Sequence, residues 1–514
     1  VAGRAGLKAV DMFKAVADGR IKALWIMATN PAVSMPDASA VEAAIASCPF
    51  VVVSEVMAET DTARHADVKL PSLAWGEKDG TVTNSERRIS RQRAFLSAPG
   101  EARADWWQMA EVAKRMGYQA AFDWIDSAAV FVEHAALTAF ENQGTRDLDL
   151  SALVDLSKAE FEALEPFQWP QRGTFVAGRQ TRFFAKGGFY TPNGKAQCVP
   201  VDPPPLAGEH NTRLNTGRVR DQWHTMTRTA KAVRLNSHIA EPYCELNPAD
   251  ANRLNIGPAD LVQLSSGGHD IVVRALVTPD QPPGSVFVPM HWNDQFAGRG
   301  RVNTVVNNDT DPLSGQPALK GSEVTVAKAS MHRFGFAVMV EKPCTKGLSY
   351  WAMARVAEGW QLEFALDHLP EKMDSFFATV TGQKPCQLLA SDHTQGLWRA
   401  AQFDGSRLVS AMFLGATPVS VSRPWAVGQL THSFDDPNRR WQALAGRSAA
   451  DAPDKGAIVC ACMGVGVNEI IGAVRTGCHS VEAIGHATDA GTNCGSCRAE
   501  ITEIIHAHRL VAAE

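Results

Sequence analysis

Five of the chain's ten cysteines, Cys460, Cys462, Cys478, Cys494 and Cys497, fall within 38 residues, whereas Cys48, Cys198, Cys244, Cys344 and Cys386 lie far apart. Four of the five make a pattern: C-x-C at 460–462, 31 intervening residues, then C-x-x-C at 494–497. The segment between has helical logic. Val467, Ile470, Ile471 and Val474 recur on one face, and Gly477 supplies a C-cap. Ser480 can cap a second short helix, VEAIGHAT, and a third carries Ile501, Ile504 and Ile505. Helices this small bury too little surface to hold a core unaided, so a metal bound by thiolates at both ends of the segment supplies the missing stability. Four cysteine ligands suit zinc or an iron–sulfur cluster. The tight C-x-C pair favours a two-iron cluster, because zinc knuckles usually space both pairs by two or more residues. Zinc, or four unconnected buried thiols, are the alternatives. Cys478 stands outside the pattern and reads as structural.

The rest of the chain is ordinary in composition, with a net charge of −5 and no dense Lys/Arg block. That argues against nucleic acid as a partner. No apolar run approaches the roughly 18 residues of a membrane span, so no membrane partner is expected. The first twenty residues match neither a signal nor a transit peptide, and a cytoplasmic location with reduced thiols is the expectation. The chain opens at Val1 within a helical pattern, which suits a processed protein or the C-terminal piece of a longer one.

Along the chain, IKALWIM (21–27) reads as a buried strand and TNP as a turn. DASAVEAAIASC has helical spacing with Asp37 as a candidate N-cap, and PFVVVSEV is a second buried strand. Strand, helix and strand in that order give a parallel βαβ layer. VKLPSLAW (68–75) is a candidate third strand. A helix with Trp106, Met109, Val112 and Met116 on one face follows. VDPPPLAG reads as a linker. From about 213, short strands in quick succession (TRLNTGRV, DLVQLSS, HDIVVRALVT, GSVFVPMHW, SEVTVAKA) read as a compact β-barrel. Residues 331–450 are mixed and Trp-rich, with no assignable role. A second linker, AGRSAADAPDKG, precedes the cysteines. The expected organisation is therefore multidomain α/β: 1–205, a parallel layer; 206–330, a barrel; 331–450, unassigned; 451–514, a small helical iron–sulfur domain.

Ligands of parallel α/β sheets bind at the carboxyl ends of strands. Those ends here carry Thr29-Asn30-Pro31 and Ser54-Glu55. Asn30 offers donors and acceptors, and Glu55 can accept from ribose hydroxyls. No G-x-G-x-x-G follows the first strand, which argues against an NAD-type site. Loop polar residues without a ligand are the competing reading.

Three resemblances bear on this. The stretch VCACMGVGVNEI…GTNCGSCRAEI resembles the bacterioferritin-associated-ferredoxin-like [2Fe-2S] domain, which implies electron transfer with Cys460, Cys462, Cys494 and Cys497 as ligands. ATNP…VVVSEV…ADVKLPSLAWGEKDGTVTNSERR, continuing through RADWWQMAEVAKRM, resembles the molybdopterin oxidoreductase family, especially its nitrate reductase branch. LNTGRVRDQWHTMTRT, LNPADANRLNIG, GSVFVPMHW and RVNTVVNNDTDPLSGQPALK are similar to that family's dinucleotide-binding barrel, which implies a double-psi-like barrel. The resemblance implies a bis-molybdopterin guanine dinucleotide cofactor. The matching positions are Asn30, Ser54, Glu55, Lys78 and Asp105 in the first block. In the barrel they are Thr216, Gly217, Arg218, Val219, Arg220, Asp221, Gln222, Trp223, His224 and Thr225, then Trp292, Asn303 and Lys320. Arg218, Arg220 and Lys78 can meet pyrophosphate oxygens, and Asp105 and Glu55 can accept from guanine or ribose. Trp223 and Trp292 can offer flat faces, against plain core packing. Lys78 has a solvated surface charge as its competing reading. His224 reads as a cofactor or packing residue rather than a base.

The departures matter equally. The family's opening [4Fe-4S] motif and its molybdenum ligand have no counterpart here, and Gly257-Pro258-Ala259-Asp260 replaces a Gly-Asp pair. The chain accordingly reads as the C-terminal part of a longer assimilatory nitrate reductase, with the [4Fe-4S] cluster and metal ligand expected upstream. Nitrate is the implied substrate. An NADH-dependent flavoprotein, ferredoxin or flavodoxin is the implied electron donor. A formate dehydrogenase, and a non-catalytic electron-transfer or cofactor-binding fragment, are the alternatives.

Overall fold

A computed structural model describes residues 5–178, 180–200, 212–382, 385–447 and 454–509. The linker VDPPPLAG and half of AGRSAADAPDKG, residues 448–453, lie outside the described residues.

Helix α1 (Ala9–Ala17) packs on a three-stranded parallel sheet of β1 (Leu24–Met27), β2 (Val51–Glu55) and β3 (Val68–Pro71), in the order β1-β2-β3. Between β1 and β2 run one helical turn, α2 (Pro31–Ser34), and α3 (Ala38–Ser47). The alternation of buried positions in β1 and β2 places Leu24, Ile26, Val51 and Val53 in one cluster with Val41, Ala44 and Ile45 of α3. This is the expected βαβ layer. Asp37 stands at the N-cap position of α3, but it is left-handed (φ 48°) and its side chain caps nothing. A hairpin of β4 (Gly80–Thr83) and β5 (Arg88–Gln92), joined by β6 (Phe167–Gln168), shares a core with α5 (Ser127–Ala139) and α6 (Lys158–Glu162), while α4 (Asp105–Arg115) is tied to the ends of β2 and β3.

Six strands close the barrel: β7 (Thr212–Gly217), β8 (Tyr243–Leu246), β9 (Leu261–Ser266), β10 (His269–Val277), β11 (Ser285–Pro289) and β12 (Ser322–Lys328). Their order around it is β10-β8-β11-β7-β12-β9. β7 pairs with β11, and β8 with β10, in parallel, so the two halves interlock as a double-psi-like barrel requires. Helices α7 (Val233–Asn236) and α8 (Pro248–Arg253) lie in its connections. Inward-facing Leu214, Leu246, Val262, Leu264, Val273, Val286, Val288 and Val324 fill the core.

Residues 331–450, unassigned from sequence, hold a six-stranded antiparallel sheet. Its strands are β13 (Arg333–Met339), β14 (Tyr350–Val356), β15 (Gly359–Leu366), β16 (Leu388–Asp392), β17 (Leu397–Asp404) and β18 (Arg407–Gly415), with α9 (Met373–Thr381) and α10 (Arg423–Gln429). The C-terminal module follows: a small hairpin of β19 (Ile458–Cys460) and β20 (Val465–Gly466), then α11 (Val467–Arg475), α12 (Val481–Thr488) and α13 (Arg498–Arg509). Val465, Ile470, Val474, Ile484, Ile501 and Ile505 form its core beside Cys460 and Cys497. Among the described residues no helix is long and apolar enough to cross a membrane.

Candidate cofactor pocket and cysteine module

The carboxyl ends of β1 and β2 open into a cavity of about 440 Å³. Its walls include Thr29, Asn30, Ser54, Glu55, Ser72, Trp75, Lys78, Gln92 and Asp105. The barrel loop that leaves β7 closes it with His224, Thr225, Thr227 and Arg228. Seven candidates from the sequence thus meet in one place: Asn30, Ser54, Glu55, Lys78, Asp105, His224 and Thr225.

Most of these side chains are already fixed. Asn30 Oδ1 accepts from the Thr62 N–H (3.1 Å) and hydroxyl (2.7 Å), and its Nδ2 donates to Thr225 Oγ1 (3.1 Å). One amide hydrogen remains for a ligand. Ser54 accepts from Trp25 Nε1 (2.9 Å) and donates to Gln108 Oε1 (2.6 Å). Lys78 Nζ pairs with Asp105 Oδ2 at 2.9 Å, and Ser72 donates to the other Asp105 oxygen at 2.7 Å. The solvated alternative for Lys78 therefore gives way to a half-buried ion pair on the cavity wall. Glu55 accepts only from its neighbour's N–H, Val56 at 2.8 Å, among the described residues. Burial together with Arg218 and Arg228 lowers the pKa of His224 and favours its neutral form. Buried His291 donates from Nδ1 to the His224 carbonyl (2.7 Å) and accepts from the Val219 N–H at Nε2 (2.9 Å), which fixes its tautomer and the course of the loop.

The remaining candidates lie off the cavity. Thr216 Oγ1 donates to the Leu319 carbonyl (2.8 Å), and Lys320 Nζ donates to the Thr216 carbonyl. Gly217 sits where a Cβ would meet the Phe287 ring at 2.7 Å. Gln222 is buried and tied to Asn236 and Thr229. Asn303 Nδ2 donates to the Ser34 carbonyl (2.8 Å), joining the barrel to the parallel layer. Trp292 offers no flat face: it is 1% exposed and belongs to the core between the barrel and the six-stranded sheet. Trp223 is half exposed, with the Arg218 guanidinium 5.7 Å from its ring centroid. Arg220 and Asp221 point away from the pocket, toward the cysteine module.

Arg228 is the residue the sequence reading passed over. It lies inside the motif LNTGRVRDQWHTMTRT, lines the cavity, is exposed, and forms no ion pair among the described residues. Ser72 could have been found by extending the strand-end rule to β3.

In the module, Cys460 and Cys497 are buried, Cys462 is partly buried and Cys494 is exposed. The sulfurs form two pairs. Cys462 Sγ lies 3.3 Å from Cys494 Sγ, and Cys460 neighbours Cys497 closely enough to raise its pKa. Among the described residues no three His, Cys, Asp or Glu side chains converge as a set that could hold one metal ion. Two thiol pairs, each drawn from both ends of the segment, fit a two-centre cluster better than one zinc ion, which needs all four donors about a single point. Ser496, 3.2 Å from Cys494 Sγ, lowers that thiol's pKa by hydrogen bonding. Burial, with the neighbouring Cys460 thiol, pushes Cys497 up to about 11. Cys478 packs on the module's core.

Residues 2–115 match the family described as Molybdopterin oxidoreductase, 212–323 the Molydopterin dinucleotide binding domain, and 458–507 the BFD-like [2Fe-2S] binding domain. The chain belongs to the molybdopterin oxidoreductase family. A nitrate reductase of Klebsiella oxytoca is 39% identical over 520 residues, covering 98% of this chain and 57% of that protein. A nitrate reductase of Shewanella frigidimarina (strain NCIMB 400) is 41% identical over 384 residues, covering 70% of this chain and 41% of that one. An F420-dependent formate dehydrogenase subunit alpha of Methanocaldococcus jannaschii is 34% identical over 312 residues, covering 60% and 43%. The molybdopterin oxidoreductase chain thus spans about half the length of the curated relatives it matches. Its cavity suits the family's cofactor chemically: Lys78 and Arg228 offer cations, and Glu55 and Asp105 offer acceptors.

Proposed function

We propose that this chain serves an assimilatory, cytoplasmic nitrate reductase, which reduces nitrate to nitrite at a bis-molybdopterin guanine dinucleotide cofactor. The molybdenum cofactor supplies the two-electron chemistry when bound. In this reading Arg228 and Lys78 hold pyrophosphate oxygens, and Glu55 and Asp105 accept from ribose or guanine. Cys460, Cys462, Cys494 and Cys497 hold a [2Fe-2S] cluster that receives electrons from an NADH-dependent flavoprotein, ferredoxin or flavodoxin. No residue here is assigned as the molybdenum ligand.

The observation that carries this reading is the loop 218–228. Its one end lines the cofactor cavity, and its other end, at Arg220 and Asp221, touches the cysteine module. An electron port and a cofactor site thus share one short connection. Formate dehydrogenase is the second reading, since such a relative matches 60% of the chain. The nitrate reductase match to 98% of the chain, which takes in the cysteine module, favours nitrate. The complete enzyme, supplied with reduced viologen and nitrate, is expected to form nitrite. No nitrite above background, with viologen reduction on adding formate, would overturn the nitrate reading in favour of formate.

A further inference from the structure

Arg220 lies on the barrel, yet its side chain, 18% exposed, is spent on the cysteine module. Nη2 donates to the Val459 carbonyl at 2.5 Å, one residue before Cys460. The same nitrogen reaches Glu500 Oε2 of α13 at 2.6 Å, and Nε reaches it at 3.2 Å. Nη1 pairs with Asp221 Oδ2 at 2.7 Å. Asp221 in turn accepts from Ser496, which flanks Cys494 and Cys497. His238 of the barrel closes the group, 3.3 Å from both Asp221 and Glu500. Two of the module's own cations are engaged elsewhere: Lys455 faces Glu469, and Arg498 pairs with Glu482. Two carboxylates therefore stand beside the cysteines, and the barrel provides the cations that balance them.

We propose that Arg220 is a positioning and tuning residue for the cluster, so that the module acquires its working redox potential only when docked on the barrel. This rests on the reading of the four cysteines as ligands of a two-iron cluster. Reduction by one electron adds negative charge to a set of four thiolates. A cation beside it, donating to a carbonyl adjacent to a ligand, favours that reduced form and raises the potential.

The test is a redox titration of the full chain with reconstituted cluster, reduced by dithionite and followed by electron paramagnetic resonance. Arg220→Gln leaves only His238 beside Asp221 and Glu500 and is expected to move the midpoint to a more negative value. Arg220→Lys keeps the charge and is expected to retain most of the native value. Glu500→Gln removes a negative charge at the same spot and is expected to shift the midpoint the opposite way, which keeps the test decisive if Arg220→Gln loads poorly. Unchanged midpoints in loaded Arg220→Gln or Glu500→Gln would overturn the proposal and leave the two-iron reading intact. A wild-type chain without a reduced two-iron signal would overturn both.

Discussion

Glu42 shows how one side chain of the parallel layer positions the cofactor cavity. It accepts from Arg301 of the barrel region at 2.7 Å, and it also meets His65 and Arg64. Arg301, 8% exposed, donates in addition to the Ala32 carbonyl at 2.9 Å, two residues from Asn30. The cluster therefore fixes the strand end that carries Asn30 against the barrel. Burial pushes the Glu42 pKa up, but Arg301, His65 and Arg64 more than offset that, and it falls from the ordinary 4.5 to about 2. A depressed carboxylate adds stability that is present above about 4.5 and lost as pH falls toward 2. Glu42→Gln leaves Arg301 short of its partner and is expected to cost about 3 kcal/mol at pH 7. The difference between wild type and variant, measured by urea unfolding, is expected to shrink as pH drops from 4.5 toward 2. A difference that stayed constant across that window would show that the carboxylate's charge is not what holds the layers. None of this was legible from sequence, because the partners are 259 positions apart.

At the scale of elements, spacing identified α4 and the face its apolar residues share, but that face is open: Met109, Val112 and Met116 are exposed, while Gln108 and Ala110 are buried. The reason is hydrogen bonding. Gln108 accepts from Ser54 at the end of β2 and donates to the Pro71 carbonyl (3.1 Å) at the end of β3. This helix thus closes the strand ends by polar contacts that hydrophobic periodicity cannot register. Gln108→Leu strands the Ser54 hydroxyl and the Pro71 carbonyl, and is expected to cost about 2 kcal/mol. Val112→Thr on the open face is expected to stay within about 0.5 kcal/mol. Thermal unfolding of the two variants side by side checks the contrast, and equal losses would contradict this orientation. The six-stranded sheet escaped the sequence reading for a related reason. Phe334–Met339 of β13 is buried on both faces, so the alternation that marks a half-exposed strand is absent.

At the scale of the whole molecule, strand ends and cysteine spacing were readable, whereas the directions of loop side chains were not. Arg218 and Arg220 look equivalent two residues apart, yet one lies against Trp223 and the other binds Glu500, 280 positions away. Asp221 and His224, which follow them, have positive φ, so the loop does not follow a simple extended alternation. The same long-range docking bears on the module's stability. Helices α11, α12 and α13 contain 9, 8 and 12 residues, and their core is a handful of aliphatic side chains. Against the conformational entropy of about fifty ordered residues, that core leaves little net stability. Arg220 and His238 add one polar patch, which orients the module but buries little apolar surface. On the proposed reading, the four thiolates contribute the missing folding free energy through the cluster they hold. Removing the cluster by chelation under reducing conditions, or by Cys494→Ser, is expected to strip amide-exchange protection from 458–509 while the barrel strands keep theirs. Exchange mass spectrometry of the full chain reads both regions at once. Native protection in 458–509 without metal would mean that the aliphatic core and the Arg220 contacts suffice, and the cysteines would then serve electron transfer alone.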